Sequence, residues 1–104
     1  MRPKKIIITG GATRIGAAIA ESLANYDTEI SIHYNKSKGA ALKLKDKLKK
    51  LGSQIHLLKA DLNNFKQTQK LLELANKKMK GVDCLINNAS LFENDNLQNF
   101  SEKS

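Results

Sequence analysis

The 104-residue chain contains one cysteine, one proline, two histidines, no tryptophan and few aromatic residues. A lone Cys84 cannot close an intrachain disulfide, and its place in an apolar run reads as a small buried side chain rather than a nucleophile. His33 and His56 stand far apart, without further ligand-type residues at metal spacing, so no metal site is expected. There is no apolar stretch of about 18 residues and no signal-peptide pattern, so the expectation is a soluble, cytoplasmic protein. Linkers, internal repeats and low-complexity blocks are also missing. The length suits one small domain with one core.

Charge is present in excess of one sign. Eighteen basic residues against ten acidic ones give a formal net charge of +8. Such a balance invites a nucleic-acid partner. Only Arg2 and Arg14 are arginines, however, and no basic–aromatic interleaving suited to base stacking occurs. A lysine-covered, solvated surface is the simpler reading, and a basic nucleic-acid-binding protein stays as an alternative.

Hydrophobic periodicity divides the chain into alternating strands and helices. Lys4 to Thr9 is a short, continuous apolar run, as expected of a strand buried on both faces. A helix follows from about Ile15 to Asn25, with Ile15, Ala18, Ile19, Ser22 and Leu23 on one face and Ala17, Ala20 and Ala24 keeping its surface thin. Glu29 to Tyr34 alternates as a second strand. Ser37 to Leu51 is a second helix, with Ala41, Leu44, Leu48 and Leu51 in one stripe, lysines opposite and Gly52 as a C-terminal cap. Gln54 to Ala60 predicts a third strand. Phe65 to Met79 predicts a third helix carrying Thr68, Leu71, Leu72, Ala75 and Met79 in register and ended by Gly81. Val82 to Asn87 is the fourth strand, and from Glu93 onward the polar, aperiodic chain is expected to fray.

Alternation of this kind implies an α/β fold with parallel strands and right-handed crossovers. The expected order is 3-2-1-4, the N-terminal half of a Rossmann-type doubly wound sheet. Residues 1–92 would form this partial domain. Its fourth strand is too apolar for a sheet edge, which predicts association through that strand.

The turn after the first strand, Thr9-Gly10-Gly11-Ala12-Thr13-Arg14-Ile15-Gly16, opens the first helix. A helix N-terminus offers unpaired N–H groups and partial positive charge to a phosphate, and glycines let the backbone approach it. Gly16 would let the helix lie close to the sheet. The P-loop pattern fits from Gly11 to Gly16 but fails at Ala17-Ala18, where lysine and serine or threonine are required. The G-x-G-x-x-G fingerprint fails at Ala12. Ligands in such sheets bind beyond the carboxyl ends of the strands, which collects Thr9 to Gly16, His33 to Ser37, Asp61-Leu62 and Asn87 to Phe92 at one crevice. The second strand ends His33-Tyr34-Asn35-Lys36-Ser37, without the carboxylate that binds a ribose 2′-hydroxyl. A cation and a hydroxyl there favour a 2′-phosphate, hence NADPH.

These residues closely resemble the short-chain dehydrogenase/reductase family, whose glycine loop T-G-x-x-x-[GR]-x-G fits here with Arg14 at its variable position. Ser90 and Phe92 within Asn87-Asn88-Ala89-Ser90-Leu91-Phe92, with His33-Tyr34 and Ser37, make it similar to the pteridine reductases within that family. The resemblance runs from Lys4 to about Phe92. It implies NADPH-dependent reduction of a pterin or dihydrofolate ring by hydride transfer. Thr9, Gly10, Arg14, Ile15 and Gly16 would hold the cofactor phosphates, with Arg14 reaching toward substrate. Asn35, Lys36 and Ser37 would meet the 2′-phosphate and Asp61 the adenine, with His33, Tyr34 and Leu62 also binding the cofactor. Asn88, Ala89 and Ser90 would line the nicotinamide end, Ser90 also touching the pterin and Phe92 stacking on it. Family members are usually homo-oligomers of at least about twice this length, with a catalytic Tyr-x-x-x-Lys beyond the Asn-Asn-Ala segment. Tyr34-x-x-x-Lys38 matches those letters at the wrong place in the fold. The resemblance therefore implies a cofactor-binding N-terminal fragment without catalytic residues of its own. A non-catalytic NADP(H)-binding module completed by a partner is the alternative.

Overall fold

Three consecutive isoleucines, Ile6, Ile7 and Ile8, are each 2% exposed or less. Successive side chains of a strand point to opposite faces, so such a run requires cover on both sides. The computed structural model, which describes residues 4–12, 14–25 and 27–88, supplies that cover. Strand β1 (Lys5–Thr9) leads into helix α1 (Arg14–Leu23). Then follow β2 (Glu29–Tyr34), α2 (Lys38–Lys50), β3 (Gln54–Lys59), α3 (Phe65–Met79) and β4 (Cys84–Asn87). The strands form one parallel sheet in the order β3-β2-β1-β4, as expected. Register pairs Ile8 with Ile32 and with Ile86, and His33 with Leu58.

Each sheet face has its own core. Ile6, Ile8, Ile30, Ile32 and Ile55 pack with Ala20, Leu44 and Leu48 of the first two helices. Ile7, Leu58 and Ala60 pack with Leu71, Ala75 and Met79 of α3. A right-handed crossover moving one way along the sheet puts α1 and α2 on the same side, and reversal at β1 sends α3 to the other.

Several expectations are corrected. The buried face of α1 is Gly16 and Ala20, flanked by partly buried Ala17, Ile19, Leu23 and Ala24, whereas Ile15 is 50% exposed and Ala18 and Ser22 face solvent. The smallest side chains allow the closest approach, and that outweighs the aliphatic stripe. The helix also stops at Leu23, because Asn25 turns its N–H to the hydroxyls of Thr28 and Ser53. β4 begins at Cys84 rather than Val82: the Asp83 carboxylate accepts the N–H groups of Lys4 and Lys5, which hold its pKa below the ordinary carboxylate value. α3 ends at Met79 and is capped by Lys80, which takes the left-handed conformation (φ 57°), rather than by Gly81. Leu51 and Leu72 are exposed beside stripes that otherwise bury as expected.

β4 lies at one end of the sheet, and Leu85 on it is 51% exposed. Beneath α3, by contrast, the fully buried Ser31 hydroxyl has no hydrogen-bond partner among the described residues. An unsatisfied buried hydroxyl costs free energy that an apolar replacement avoids. Ser31→Ala is therefore expected to stabilise the chain by about 1 kcal/mol, read as a higher urea midpoint at unchanged slope.

Candidate functional site

The parallel sheet brings the carboxyl ends of β1, β2, β3 and β4 to one end, together with the described residues of the loops after β1, β2 and β3 and with Asn88 after β4, and the glycine-rich turn is the centre of that end. Gly10 adopts φ 64°, a left-handed conformation that side chains disfavour. Its N–H donates to His33 Nδ1 at 2.8 Å, and the Gly11 N–H donates to the His33 carbonyl at 3.1 Å. His33 Nε2 in turn donates to the Ala60 carbonyl at 2.8 Å. A backbone N–H can only donate, so Nδ1 is the acceptor and the proton sits on Nε2. Burial lowers the pKa of this imidazole, while the bond to Ala60 opposes that shift.

β4 closes the turn from the other side. Asn88, 1% exposed, donates its Nδ2 to the Gly10 carbonyl at 3.0 Å. Thr9 Oγ1 donates to Asn87 Oδ1 at 3.0 Å. Gly16 lies against the turn so tightly that a Cβ there would meet the Gly10 carbonyl oxygen, the Gly11 Cα at 2.6 Å and Asn88 Nδ2 at 2.8 Å. A Cβ on Gly11 would land 2.9 Å from Ile32 Cγ2. Gly11 and Gly16 are thus required by packing inside the protein, and the amides of Gly10 and Gly11 point at β2. The first turn of α1, from Arg14 onward, offers an anion N–H groups that have no intrahelical partner. Arg14 and Ile15 are exposed there.

Tyr34 is half-buried and its carbonyl accepts from Ala60 N–H at 3.1 Å. Asn35, Lys36 and Ser37 are exposed in the loop that follows. Ser37 occupies the N-cap position of α2, yet its side chain makes no capping hydrogen bond. The hydroxyl is therefore not spent on capping the helix, whose first N–H groups lack intrahelical partners. Lys38 opens α2 while Tyr34 ends β2, so the Tyr34-x-x-x-Lys38 match spans a strand, a loop and a helix start. Those two side chains do not share a helical face.

After β3, Asp61 is half-buried; its Oδ1 accepts from Asn63 N–H at 2.9 Å and its own N–H donates to Gln67 Oε1 at 2.8 Å. Leu62 packs partly buried against the core under α3. The Gln67 contact, the Asn87 contact to Thr9 and the packing demand at Gly11 were not foreseen. The Thr9–Asn87 and Gly11–Ile32 contacts have no local signal, because each joins residues far apart in the chain, whereas the Gln67 contact lies within the turn that Asn64-x-x-Gln67 opens. Ala89, Ser90 and Phe92 lie outside the described residues, as does the stretch from Glu93 onward. Among the described residues no cluster of three metal-ligand side chains exists, and no helix is long and apolar enough to cross a membrane.

Comparison with known proteins agrees with this arrangement. The family model described as short chain dehydrogenase matches residues 4–104. Elsinochrome reductase 1 of Elsinoe fawcettii is 33% identical over 100 residues, covering 96% of this chain and 38% of that protein. The short-chain dehydrogenase/reductase homolog YusS of Bacillus subtilis is 30% identical over 88 residues, covering 85% of this chain and 81% of YusS. Among solved structures, an NADH-dependent reductase A1-R′ complexed with NAD superposes with a TM-score of 0.74 at 29% identity, over 83% of this chain and 36% of that one. A dehydrogenase from Burkholderia cenocepacia with bound NADP superposes with a TM-score of 0.74 at 27% identity, over 81% of this chain and 33% of that one. Against Elsinochrome reductase 1 and both solved structures, the chain spans less than two-fifths of the relative's length. With its strand order, its glycine turn and this similarity in agreement, the chain belongs to the short-chain dehydrogenase family.

Proposed function

We propose that the crevice at the carboxyl end of this sheet binds NADPH, and that it serves a reductase acting on a pterin or dihydrofolate ring. The observation that carries the cofactor reading is the end of β2. No carboxylate stands there, Lys36 is exposed, and the exposed Ser37 at the N-cap of α2 makes no side-chain capping hydrogen bond. A 2′-phosphate would meet a cation, a hydroxyl and the positive end of α2 together, whereas a 2′-hydroxyl would gain little from them. The pyrophosphate would lie at the first turn of α1 with Arg14, and the adenine near Asp61 and Leu62. A cofactor bound in this way would supply a hydride in a complete reductase, and this chain's own residues would hold and orient it.

The pterin reading rests on Ser90 and Phe92 and on their resemblance to the pteridine reductases, with an aromatic ring suited to stacking on a flat heterocycle. Protonation of the substrate would need a tyrosine–lysine pair on a shared helical face, which Tyr34 and Lys38 do not provide. The 104-residue chain is accordingly proposed to bind cofactor without turning it over. A module that binds the dinucleotide and performs no chemistry is the second reading, favoured by a Bacillus relative of comparable extent.

A fluorescence titration of the purified chain tests the cofactor reading. NADPH is expected to bind at least about tenfold more tightly than NADH at low salt, the worth of one or two charge-assisted hydrogen bonds at an exposed site. Lys36→Asp should remove most of that preference. Equal affinities for the two cofactors in the unmodified chain would reject it.

A further inference from the structure

One imidazole supports the glycine-rich turn from beneath. His33 is 4% exposed and engages both ring nitrogens: Nδ1 accepts from Gly10 N–H and Nε2 donates to the Ala60 carbonyl, each at 2.8 Å. Its carbonyl takes the Gly11 N–H as well. The side chain of a β2 residue thereby joins the loop after β1 to the end of β3. The turn it holds contacts Gly16, where the first turn of α1 begins to offer donors to an anion.

We propose that His33 is a positioning residue for the dinucleotide site, and that a proton on its Nδ1 unlatches the glycine-rich turn. The proposal rests on the dinucleotide reading of this crevice. In the imidazolium both nitrogens carry hydrogen. The bond to Ala60 survives protonation, because Nε2 is a donor in either state. The contact to Gly10 does not, because two N–H groups then face each other, and the strain falls on the turn alone. Gly10 must move, and its carbonyl and Gly11 move with it against Gly16.

Among the described residues no charged group forms an ion pair with the ring. On β1 the one ionisable side chain, Lys5, donates to the Lys80 carbonyl at the far end of the sheet. On β2, Glu29 is taken by His56 of β3 at 2.6 Å, and Tyr34 and Lys36 follow His33 in the chain. β3 also carries exposed Lys59, and the Asp61 carboxylate after it accepts from Asn63. Arg14 on α1 and Lys66, Lys70 and Glu73 on α3 are exposed, and half-buried Cys84 of β4 packs on the opposite face of the sheet. Burial lowers the ring's pKa from the ordinary imidazole value of 6.5. The native state therefore resists the proton: the contribution of the latch is complete above that value and is lost as pH falls from it through the lowered folded value.

The test has one arm without cofactor and one with it. In the isotopically labelled full chain, titrated from about pH 7.5 to about pH 4.5 across the imidazole range, the His33 ring should start as the Nε2–H tautomer. The Gly10 amide shift and its hydrogen exchange should then follow the ring's own titration. Affinities for NADPH and NADH are measured over the same range for the wild type and for His33→Gln, whose carboxamide offers an uncharged acceptor and donor. Once the ring is mostly protonated, wild-type affinity should fall by close to tenfold per pH unit relative to the variant, since only the latched fraction is competent. A phosphate monoester itself titrates near pH 6, so the wild-type-to-variant difference, seen with NADH as well, is the readout. A Gly10 amide indifferent to the ring's titration would overturn the proposal, and so would parallel pH curves for wild type and a folded variant. If His33→Gln does not fold, the cofactor-free titration of the wild type decides alone. Absence of dinucleotide binding at every pH, with Gly10 still following the ring, would reject the dinucleotide reading and uphold the latch.

Discussion

Gly16→Ala is expected to destabilise the chain by about 3 kcal/mol and to remove its cofactor affinity. The added methyl would overlap the Gly10 carbonyl oxygen and approach the Gly11 Cα to 2.6 Å, and both of these are backbone atoms that cannot rotate away. Relief requires α1 to lift from the turn, which separates the anion-facing first turn from the rest of the crevice. A loss of that size is a large share of the roughly 5–15 kcal/mol that stabilises an ordinary domain. Gly39→Ala is the matched control, because nothing lies within 4 Å of its built Cβ on the exposed side of α2. There the same substitution should stabilise by up to about 1 kcal/mol through helix propensity and a less flexible unfolded chain. Urea midpoints of the two variants should move in opposite directions. A Gly16→Ala protein as stable as the wild type would mean that the turn and helix do not pack in this way.

Ile32→Ala is expected to cost about 2–5 kcal/mol, since it empties a fully buried position between the sheet and its first two helices. Its second effect identifies why Gly11 is glycine. A Cβ on Gly11 would sit 2.9 Å from Ile32 Cγ2, 3.2 Å from Ile32 Cδ1 and 3.2 Å from the Ile8 carbonyl oxygen. In the wild-type background Gly11→Ala should cost about 1–3 kcal/mol by overpacking. In the Ile32→Ala background it should cost about 1 kcal/mol less, the remainder reflecting the Ile8 carbonyl, which stays in place. Strict additivity in a double-mutant cycle would show that the demand for glycine has another source, such as close approach of a ligand.

Strand β2 and helix α3 have the bounds that the sequence reading gave them, because alternation over Glu29–Tyr34 and the helical spacing of Leu71, Ala75 and Met79 are strong local signals. Element ends were less legible. The start of β4 depends on a carboxylate meeting amides nearly 80 positions away in the chain, and the end of α1 depends on hydroxyls of Thr28 and Ser53. The face of α1 was misjudged for a related reason. An apolar stripe predicts burial only when large side chains set the distance to the sheet, and here Gly16 and Ala20 set it.

What the sequence by itself determined is the parallel sheet in the order β3-β2-β1-β4 and the end of it where a ligand would bind. Periodicity is local, crossovers are right-handed, and together they leave almost one arrangement for this succession of strands and helices. Only the tertiary structure decided which polar groups of the crevice are already spent. Gly10 and Gly11 read in isolation as donors and open backbone for a pyrophosphate, yet their N–H groups belong to His33, 23 positions away from Gly10. Ser37 stands at the N-cap of α2, yet its side chain makes no capping hydrogen bond. A hydrogen bond needs its partner within about 3 Å, and which residues come that close is a property of the folded chain rather than of any segment of it.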